Sequence, residues 1–361
     1  MSEGEYGHTP TLLPHWPDNI RLRPGMWVGD VHSPEALCFM VCGLFHRAED
    51  HHLAGRGTRL DVCLDDDGRV VISADAALYG VDPDDAGRTE LERMFVEGEP
   101  GSGQTYPYGT RPLELEACGL GDSLEVVVHD GTLAHRVRFA RGLLVEAVGC
   151  IGATRRVETT LTLRPDLTIL TRDAAALAAY VARTLDELSS RCPALTVSLQ
   201  TPTTRAVLRS PRGLADLLAR SPVDAAPLTP LLHARATVEG CEAEVALQWH
   251  SEDETRLRIY ARRFSAWRNT PRGPLEGVRR ALRRWLAAYG VEGEDTEVGL
   301  QLAIRVEGPN LRVSHNWGAV VGDGVVAAAS AVTTKALAEL GAPPDVLLAW
   351  LRAVGDDAPP A

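Results

Sequence analysis

The sequence predicts an α+β fold in two domains, and three observations carry this prediction. Alternating apolar runs separated by Asp-Gly turns are typical of antiparallel strands. Helical patterns that begin at capping residues lie before and between these runs, so helices are expected on one face of a sheet. The length of 361 residues is too great for one ordinary core and suits two domains of about 150 to 200 residues each.

The first long helix of the predicted fold begins at a capping signal. Ser33 is suited to the N-cap, Pro34 to the first helical position and Glu35 to the acidic first turn, and the helical pattern continues to about Leu53. Strand-like runs follow, and together they predict an antiparallel, meander-type sheet. These runs are residues 59–64, 69–74, 123–129, 135–139 and 159–163.

A long loop interrupts the predicted sheet. Residues 81–110 are rich in Gly, Pro, Asp and Glu and contain one short helical pattern at 89–96, which is typical of a mobile loop or lid. The first domain is predicted to span residues 1–172 and the second 173–361. The predicted elements of the second domain are helices at 173–188, 212–218, 275–289 and 327–340 and strands at 194–200, 244–249, 256–262 and 298–306.

Charge and composition exclude several classes of protein. The net charge of −12 argues against binding of nucleic acid over the whole surface. A local arginine-rich patch, residues 256–284, is either a solvated helix face or a surface that faces an anion or DNA. No apolar run reaches the ~18 residues of a membrane span and no secretory signal is recognisable, so a cytoplasmic protein is expected. The seven cysteines form no CxxC pair and are expected to be free thiols.

A specific motif opens the first domain. Residues 20–30 read Ile-Arg-Leu-Arg-Pro-Gly-Met-Trp-Val-Gly-Asp. They resemble the Ile-Arg-Lys-Arg-Pro-Gly-Met-Tyr-Ile-Gly motif that opens the ATPase domain of gyrase B and ParE, the B subunits of bacterial type IIA topoisomerases. The resemblance continues in the same order at 53–55, 124–131 and 159–166, and residues 244–249 resemble the transducer strand that ends in Val-Ala-Leu-Gln-Trp.

This resemblance covers residues 18–345 and implies the fold of both domains. It implies a GHKL-type ATPase-like α/β sandwich followed by a transducer domain of the ribosomal protein S5 domain 2-like type. It stops where the TOPRIM domain of the family would begin, so we expect no metal-binding DNA-cleavage module. In the family ATP closes an N-terminal clamp; nothing in this sequence supplies that trigger, so a monomer or a nucleotide-independent dimer is expected.

The residues that hydrolyse ATP in the family are replaced. In the register of the resemblance, Gly43 takes the place of the general base and Arg47 that of the asparagine that holds magnesium. A glycine cannot abstract a proton, and a guanidinium repels the metal. The transducer lysine of the family falls near residues 312–314, whereas the only lysine of this chain is Lys335. The sequence therefore predicts no magnesium-dependent ATP hydrolysis by the family mechanism and no cofactor.

The nucleotide-binding motifs are also altered. The family's adenine motif falls on residues 76–80, where only a one-residue slip restores an acid, as Asp75. Its glycine-rich phosphate loop falls on 108–113, where Pro112 removes one of the backbone N–H donors that an anion needs. The candidate ligand-binding residues of the former nucleotide cleft are Gly43, Arg47, Asp75, Gly80, Gly109, Arg111 and Thr159.

A cluster of polar residues follows Gly43 in the first long helix. His46 shares one helical face with Glu49 and Asp50, and a histidine beside a carboxylate is a usable general acid/base group. Arg47 is suited to hold an anionic ligand directly. The alternative is a polar helix end with residues 49–52 solvated and only His46 directed inward. The spacing does not match that of a zinc-binding helix, so no metal site is predicted.

Three functions remain open at this point. The first is a non-hydrolysing ligand-binding or regulatory paralogue, which acts on a topoisomerase subunit or sequesters a small molecule such as an aminocoumarin. The second is an ATP-independent enzyme of specialised metabolism that uses the former nucleotide cleft for acid/base chemistry. The third is a residual ATP-binding ATPase of the topoisomerase type.

Overall fold

The structure is a computed structural model. It describes residues 16–96, 113–221, 223–261, 264–267, 273–291, 296–308, 311–313, 320–322 and 324–356. The chain divides into two units that alternate along the sequence. The described residues of the first unit are 16–96, 113–184 and 197–207, and those of the second lie in 185–196 and from 208 onward. A domain boundary at 172/173 stays a prediction.

An eight-stranded sheet is the framework of the first unit. Its strands are β1 (Arg59–Leu64), β2 (Val70–Ala74), β3 (Gly121–Asp130), β4 (Leu133–Ala140), β5 (Leu143–Ala153), β6 (Val157–Pro165), β7 (Thr196–Gln200) and β8 (Arg205–Leu208). They are ordered β5-β4-β3-β6-β2-β1-β7-β8. The five strands predicted for this region are confirmed as β1, β2, β3, β4 and β6. The predicted meander order is wrong in one respect. Strand β6 lies between β3 and β2, so it joins the β1–β2 hairpin to the β3–β4 hairpin.

The described helices of the first unit are α1 (Trp16–Leu22), α2 (Gly25–Val28), α3 (Pro34–Gly43), α4 (His46–Leu53), α5 (Glu90–Val96), α6 (Glu114–Leu120) and α7 (Ala174–Arg191), the last of which continues into the second unit. Of these, α3, α5 and α7 begin near predicted positions, whereas α1, α2 and α6 were not predicted. The Ser33 cap is confirmed, since its Oγ accepts a hydrogen bond from the Glu35 N–H at 3.2 Å. The single predicted helix is instead two helices, because the chain turns at Leu44 and Phe45 directly after Gly43.

A five-stranded sheet is the core of the second unit. Its elements are β9 (Leu232–Val238), β10 (Cys241–Trp249), β11 (Arg256–Ala261), β12 (Phe264–Trp267), β13 (Leu300–Glu307), α8 (Leu214–Arg220), α9 (Pro274–Ala287), α10 (Val325–Leu340) and α11 (Asp345–Asp356), with a short pair β14 (Arg312–Val313) and β15 (Val320–Val321). The order is β12-β11-β13-β10-β9. Trp249 of β10 is fully buried and its ring lies 6.0 Å from that of Trp285 in α9.

Carboxylates of the second unit partly neutralise the arginine-rich patch, residues 256–284. Arg256 lies 3.2 Å from Glu252, and Arg279 forms an ion pair with Glu297. Both pairs are partly exposed on the arginine side, at 34% and 43%, and they cancel local charge. The described part of the patch thus favours a solvated, ion-paired surface. Four of its arginines lie outside the described residues: Arg262, Arg263, Arg268 and Arg272.

None of the helices in the described parts of the chain combines the length and the apolar character needed to cross a membrane.

Candidate functional site

Gly43, which the resemblance places at the general-base position of the family, is packed against Leu113. Leu113 immediately precedes α6 and is buried. A Cβ atom on residue 43 would lie 2.8 Å from the Leu113 Cβ and 2.5 Å from its Cγ, and both distances are below the 3.0 Å limit of real Cβ contacts. Because protein interiors are close-packed, the volume that a larger side chain at 43 would need is already occupied.

Arg47 lies inside the first unit rather than at its surface. Its Nε donates a hydrogen bond to the Leu78 carbonyl at 2.8 Å, and its Nη2 forms an ion pair with Glu90. The guanidinium carbon lies 5.0 Å from the centre of the Tyr79 ring, which is a favourable cation–π distance. The Arg47 side chain is 6% exposed and that of Glu90 is 27% exposed. Arg47 is therefore a buried, paired cation, and the resemblance places it at the position of the family's magnesium-holding asparagine.

Glu90 joins the two candidate ligand-binding positions Arg47 and Gly80. One carboxylate oxygen pairs with the Arg47 guanidinium, and the other accepts a hydrogen bond from the Gly80 N–H at 2.8 Å. The backbone adds a further link, since the Leu91 N–H donates to the Gly80 carbonyl at 3.1 Å. The start of α5 is thus attached to the loop that follows β2.

A second buried carboxyl lies next to this ion pair. Glu114 begins α6 and accepts a hydrogen bond from the Tyr79 hydroxyl at 3.1 Å. Burial raises the pKa of Glu114 to about 7, against an ordinary value of 4.5, and the Arg47 charge opposes this rise. Burial, together with the neighbouring Glu114 charge, also raises the pKa of Tyr79. Among the described residues, the Glu114 Oε2 atom has no hydrogen-bond partner.

The raised pKa of Glu114 predicts a pH-dependent stability. A carboxyl with a raised pKa stabilises the folded state below about pH 4.5, and that contribution is lost as the pH rises through about 7. Glu114→Gln is neutral at every pH, so we expect it to be more stable than the parent protein at pH 8, by at most about 3 kcal/mol, with the difference vanishing near pH 4.5. Urea denaturation from pH 4.5 to 8 measures this. Glu125→Gln is the control, because it changes a partly exposed carboxyl. A gain in the free energy of unfolding of Glu114→Gln that did not vary with pH would contradict the prediction.

The predicted acid/base residues lie in α4 with unequal burial. Glu49 is 2% exposed and His51 is 8% exposed, so the alternative in which residues 49–52 are solvated is wrong for these two. His46 and Asp50 are half-buried. Burial lowers the pKa of His51 to about 4, with the charges of Arg56 and Arg47 acting in the same direction. His51 is therefore neutral at physiological pH. The catalytic role proposed from the sequence for His46, Glu49 and Asp50 stays a prediction.

Two further candidate residues make internal hydrogen bonds. The Thr159 hydroxyl, fully buried, accepts from the Leu78 N–H at 2.9 Å and donates to the Ala76 carbonyl at 2.8 Å. The Asp75 carboxylate accepts two bonds from Thr58 and one from the Arg59 N–H, all between 2.7 and 2.8 Å. Thr159 thus holds the loop after β2, and Asp75 holds the start of β1. Gly109 and Arg111 lie outside the described residues.

Four residues of this site were not identified from the sequence: Tyr79, Glu90, Leu113 and Glu114. Two of them stood within the altered motifs, since Tyr79 falls in the adenine motif and Leu113 at the last glycine of the phosphate loop. The role of Glu90 had no sequence signal, because its partner Arg47 is 43 positions away. Within the described ranges, no group of three His, Cys, Asp or Glu side chains is arranged to hold a metal ion.

The fold of this chain is that of a GHKL-type ATPase-like domain followed by a transducer-like domain. Three solved structures share this fold. The B subunit of DNA gyrase from Myxococcus xanthus has a TM-score of 0.73 and 21% identity, and the match covers 93% of this chain and 99% of that chain. The 43K ATPase domain of Thermus thermophilus gyrase B in complex with an aminocoumarin has a TM-score of 0.70 and 21% identity, covering 93% and 94% of the two chains. The ATP-binding domain of topoisomerase IV from Francisella tularensis in complex with a small-molecule inhibitor has a TM-score of 0.72 and 15% identity, covering 94% and 96%.

The sequence comparisons point to the same class of protein. The mitochondrial gyrase B protein of Arabidopsis thaliana is 25% identical in an alignment 326 positions long, which covers 81% of this chain and 44% of that protein. The gyrase B protein of Streptococcus pyogenes serotype M3 is 24% identical in an alignment 322 positions long, which covers 81% of this chain and 48% of that protein. No protein-family model matches the sequence. By these coverages, the chain spans less than half of the length of these two relatives. The matches in sequence and fold confirm the resemblance to the ATPase and transducer region of a type IIA topoisomerase B subunit.

Proposed function

We propose that this chain is a gyrase-B-like protein that does not hydrolyse Mg-ATP and acts by binding, as a ligand-binding or regulatory paralogue. The single observation that carries this proposal is Arg47, a buried guanidinium that pairs with Glu90 at the position where the family holds magnesium. A fixed positive charge repels a divalent cation, and burial strengthens that repulsion because the local dielectric is low.

The neighbouring positions support the same proposal. Gly43 supplies no carboxylate to activate water, and Leu113 occupies the adjacent volume. The hydroxyl of Thr159, a candidate ligand-binding residue, already makes two backbone hydrogen bonds. General-base catalysis needs a group within hydrogen-bond reach of the attacking water, and the residue now at that position has no side chain.

Phosphate release from ATP is the direct measurement. With ATP and magnesium, we expect the purified protein to release phosphate no faster than a protein-free blank, and Arg47→Met to leave that rate unchanged. Magnesium-dependent release that is saturable in ATP and follows the protein through size-exclusion chromatography would contradict the proposal. A release that stays in other fractions identifies a contaminating ATPase.

The binding role has two proposed partners. One is a small molecule in the former nucleotide cleft, since the related Thermus thermophilus domain is described in complex with an aminocoumarin. The other is a topoisomerase subunit, because the chain shares its fold with the B subunits. Calorimetry with an aminocoumarin tests the first partner, and a pull-down with purified gyrase subunits tests the second. Negative results in both experiments would leave the binding role without support.

An ATP-independent enzyme is the second candidate function, and Glu114 is the observation that favours it. A carboxyl with a pKa of about 7, next to the Tyr79 hydroxyl, is able to exchange a proton at neutral pH. Untargeted metabolite profiling of cells that carry the parent protein, Glu114→Gln or His46→Ala tests this candidate. Identical profiles in all three strains would argue against an enzyme.

A further inference from the structure

The Glu90 carboxylate lies in a cradle of two donors that belong to different elements. The Arg47 guanidinium comes from α4, and the Gly80 N–H comes from the loop after β2. Each carboxylate oxygen of Glu90 has one of these donors. A guanidinium combined with a backbone N–H is a usual arrangement for binding carboxylates and phosphates in proteins. The cradle itself therefore has the chemistry of an oxyanion site.

The occupant of the cradle is carried by a short helix. Glu90 is the first residue of α5, which has seven residues. Glu92 makes a second set of contacts for this helix. Its carboxylate accepts hydrogen bonds from the N–H of Thr89, directly before the helix, and from the N–H of Val148 in β5, both at 3.2 Å. Glu92 does not contact the cradle in these bonds, so its anchoring is separable from the contact made by Glu90.

Glu90 is the more exposed partner of the ion pair. The Arg47 side chain is almost completely enclosed, whereas the Glu90 side chain is 27% exposed. A small anion therefore reaches the Arg47 guanidinium only when the glutamate has moved. An attached group also competes at a high effective concentration, on the order of millimolar for a short link. The glutamate is thus an internal competitor for any free anion.

We propose that Arg47 and Gly80 form a binding site for a small oxyanion, a carboxylate or a phosphate group, and that Glu90 fills this site from within the chain. A ligand of this class enters by displacing Glu90 and the start of α5. The inference rests on the proposed function in one respect, since both assume that the former nucleotide cleft binds a ligand without magnesium.

Chemical rescue tests this site. Glu90→Ala removes the internal CH2–COO⁻ group and leaves a cavity large enough for formate, so sodium formate should raise the melting temperature of this variant saturably, by about 2 to 4 °C. The parent protein should not respond, because Glu90 occupies the cradle. Ionic strength is held constant with sodium chloride, and sodium phosphate is titrated in parallel. A rise with formate alone restricts the ligand class to carboxylates, and a rise with phosphate extends it to phosphate groups.

Two variants control this experiment. Glu92→Ala shortens the other anchoring glutamate of α5 and should show no response to formate. The double variant Glu90→Ala with Arg47→Met removes the guanidinium and should also show none. A folded Glu90→Ala protein that responds to neither anion, or a double variant that responds as strongly as Glu90→Ala, would overturn the inference.

Glu90→Gln keeps the result decisive if the alanine variant does not fold. This substitution preserves the size of the side chain but weakens its pairing with Arg47. Hydrogen exchange at the start of α5, residues 90–93, should be faster than in the parent protein and faster still on addition of formate, because formate displaces this part of the helix; exchange that is unchanged by both the substitution and formate would overturn the inference. The phosphate-release assay on the parent protein is independent, so ATP hydrolysis would refute the proposed function and leave the rescue result in place.

Discussion

Replacing Arg47 by methionine is expected to lower the free energy of unfolding by about 3 to 5 kcal/mol at pH 8. Methionine keeps the apolar stem but removes the hydrogen bond to Leu78, the ion pair with Glu90 and the cation–π contact with Tyr79. The largest part of the loss comes from the Glu90 carboxylate, which loses its partner in a site that is only 27% exposed. Urea denaturation followed by circular dichroism measures the change.

The loss should also depend on pH, because Arg47 acts on a second carboxyl. The Arg47 charge holds down the pKa of Glu114, which burial has raised to about 7. Without Arg47 that pKa rises further, so the penalty for ionising Glu114 grows with pH, and the variant should lose more stability at pH 8 than at pH 5.

Arg164→Met is the matched control for this substitution. Arg164 pairs with Asp67 at 2.8 Å, but both side chains are about half exposed, at 47% and 51%. An exposed pair of this kind is worth about 0 to 1 kcal/mol. Equal losses for Arg47→Met and Arg164→Met would show that the Arg47 ion pair is not a buried interaction.

The second large effect is expected when residue 43 regains a side chain. Gly→Ala within a helix normally stabilises by about 0.5 to 1 kcal/mol. At Gly43 the sign should be reversed, because the new Cβ would overlap with Leu113, and overpacking costs about 1 to 3 kcal/mol. Gly43→Glu adds a carboxylate to the same volume and should cost more than about 3 kcal/mol. It should not produce ATP hydrolysis, because Arg47 remains in place.

A double-mutant cycle measures the overlap directly. Combined with Leu113→Ala, Gly43→Ala should cost less than it does alone, with a favourable coupling of about 0.5 to 3 kcal/mol. Gly25→Ala is the control, because a Cβ at Gly25, in α2, would meet no atom within 4 Å. A coupling near zero would contradict the packing of Leu113 on Gly43.

Much of the first unit was predictable because its signals are local. The Ser33 cap of α3 depends on neighbours in sequence. The strands β1, β2, β3 and β6 alternate between buried and less buried positions, and this alternation is visible in their residues. Strand β5 was missed because its apolar residues do not alternate with polar ones; Leu143, Leu144 and Val145 are consecutive and all exposed. The place of β6 between two hairpins was missed for another reason, since pairing between distant strands leaves no local pattern.

The candidate site divides in the same way. The sequence by itself determined that residue 43 has no side chain and that residue 47 is a cation, because these are facts of residue type placed by a motif. Only the tertiary structure decided what surrounds them: Leu113 against Gly43, and Glu90 on Arg47 and the Gly80 N–H. The physical reason is that a missing side chain is replaced, and a buried charge is paired, by residues that are close in space but far apart in the chain.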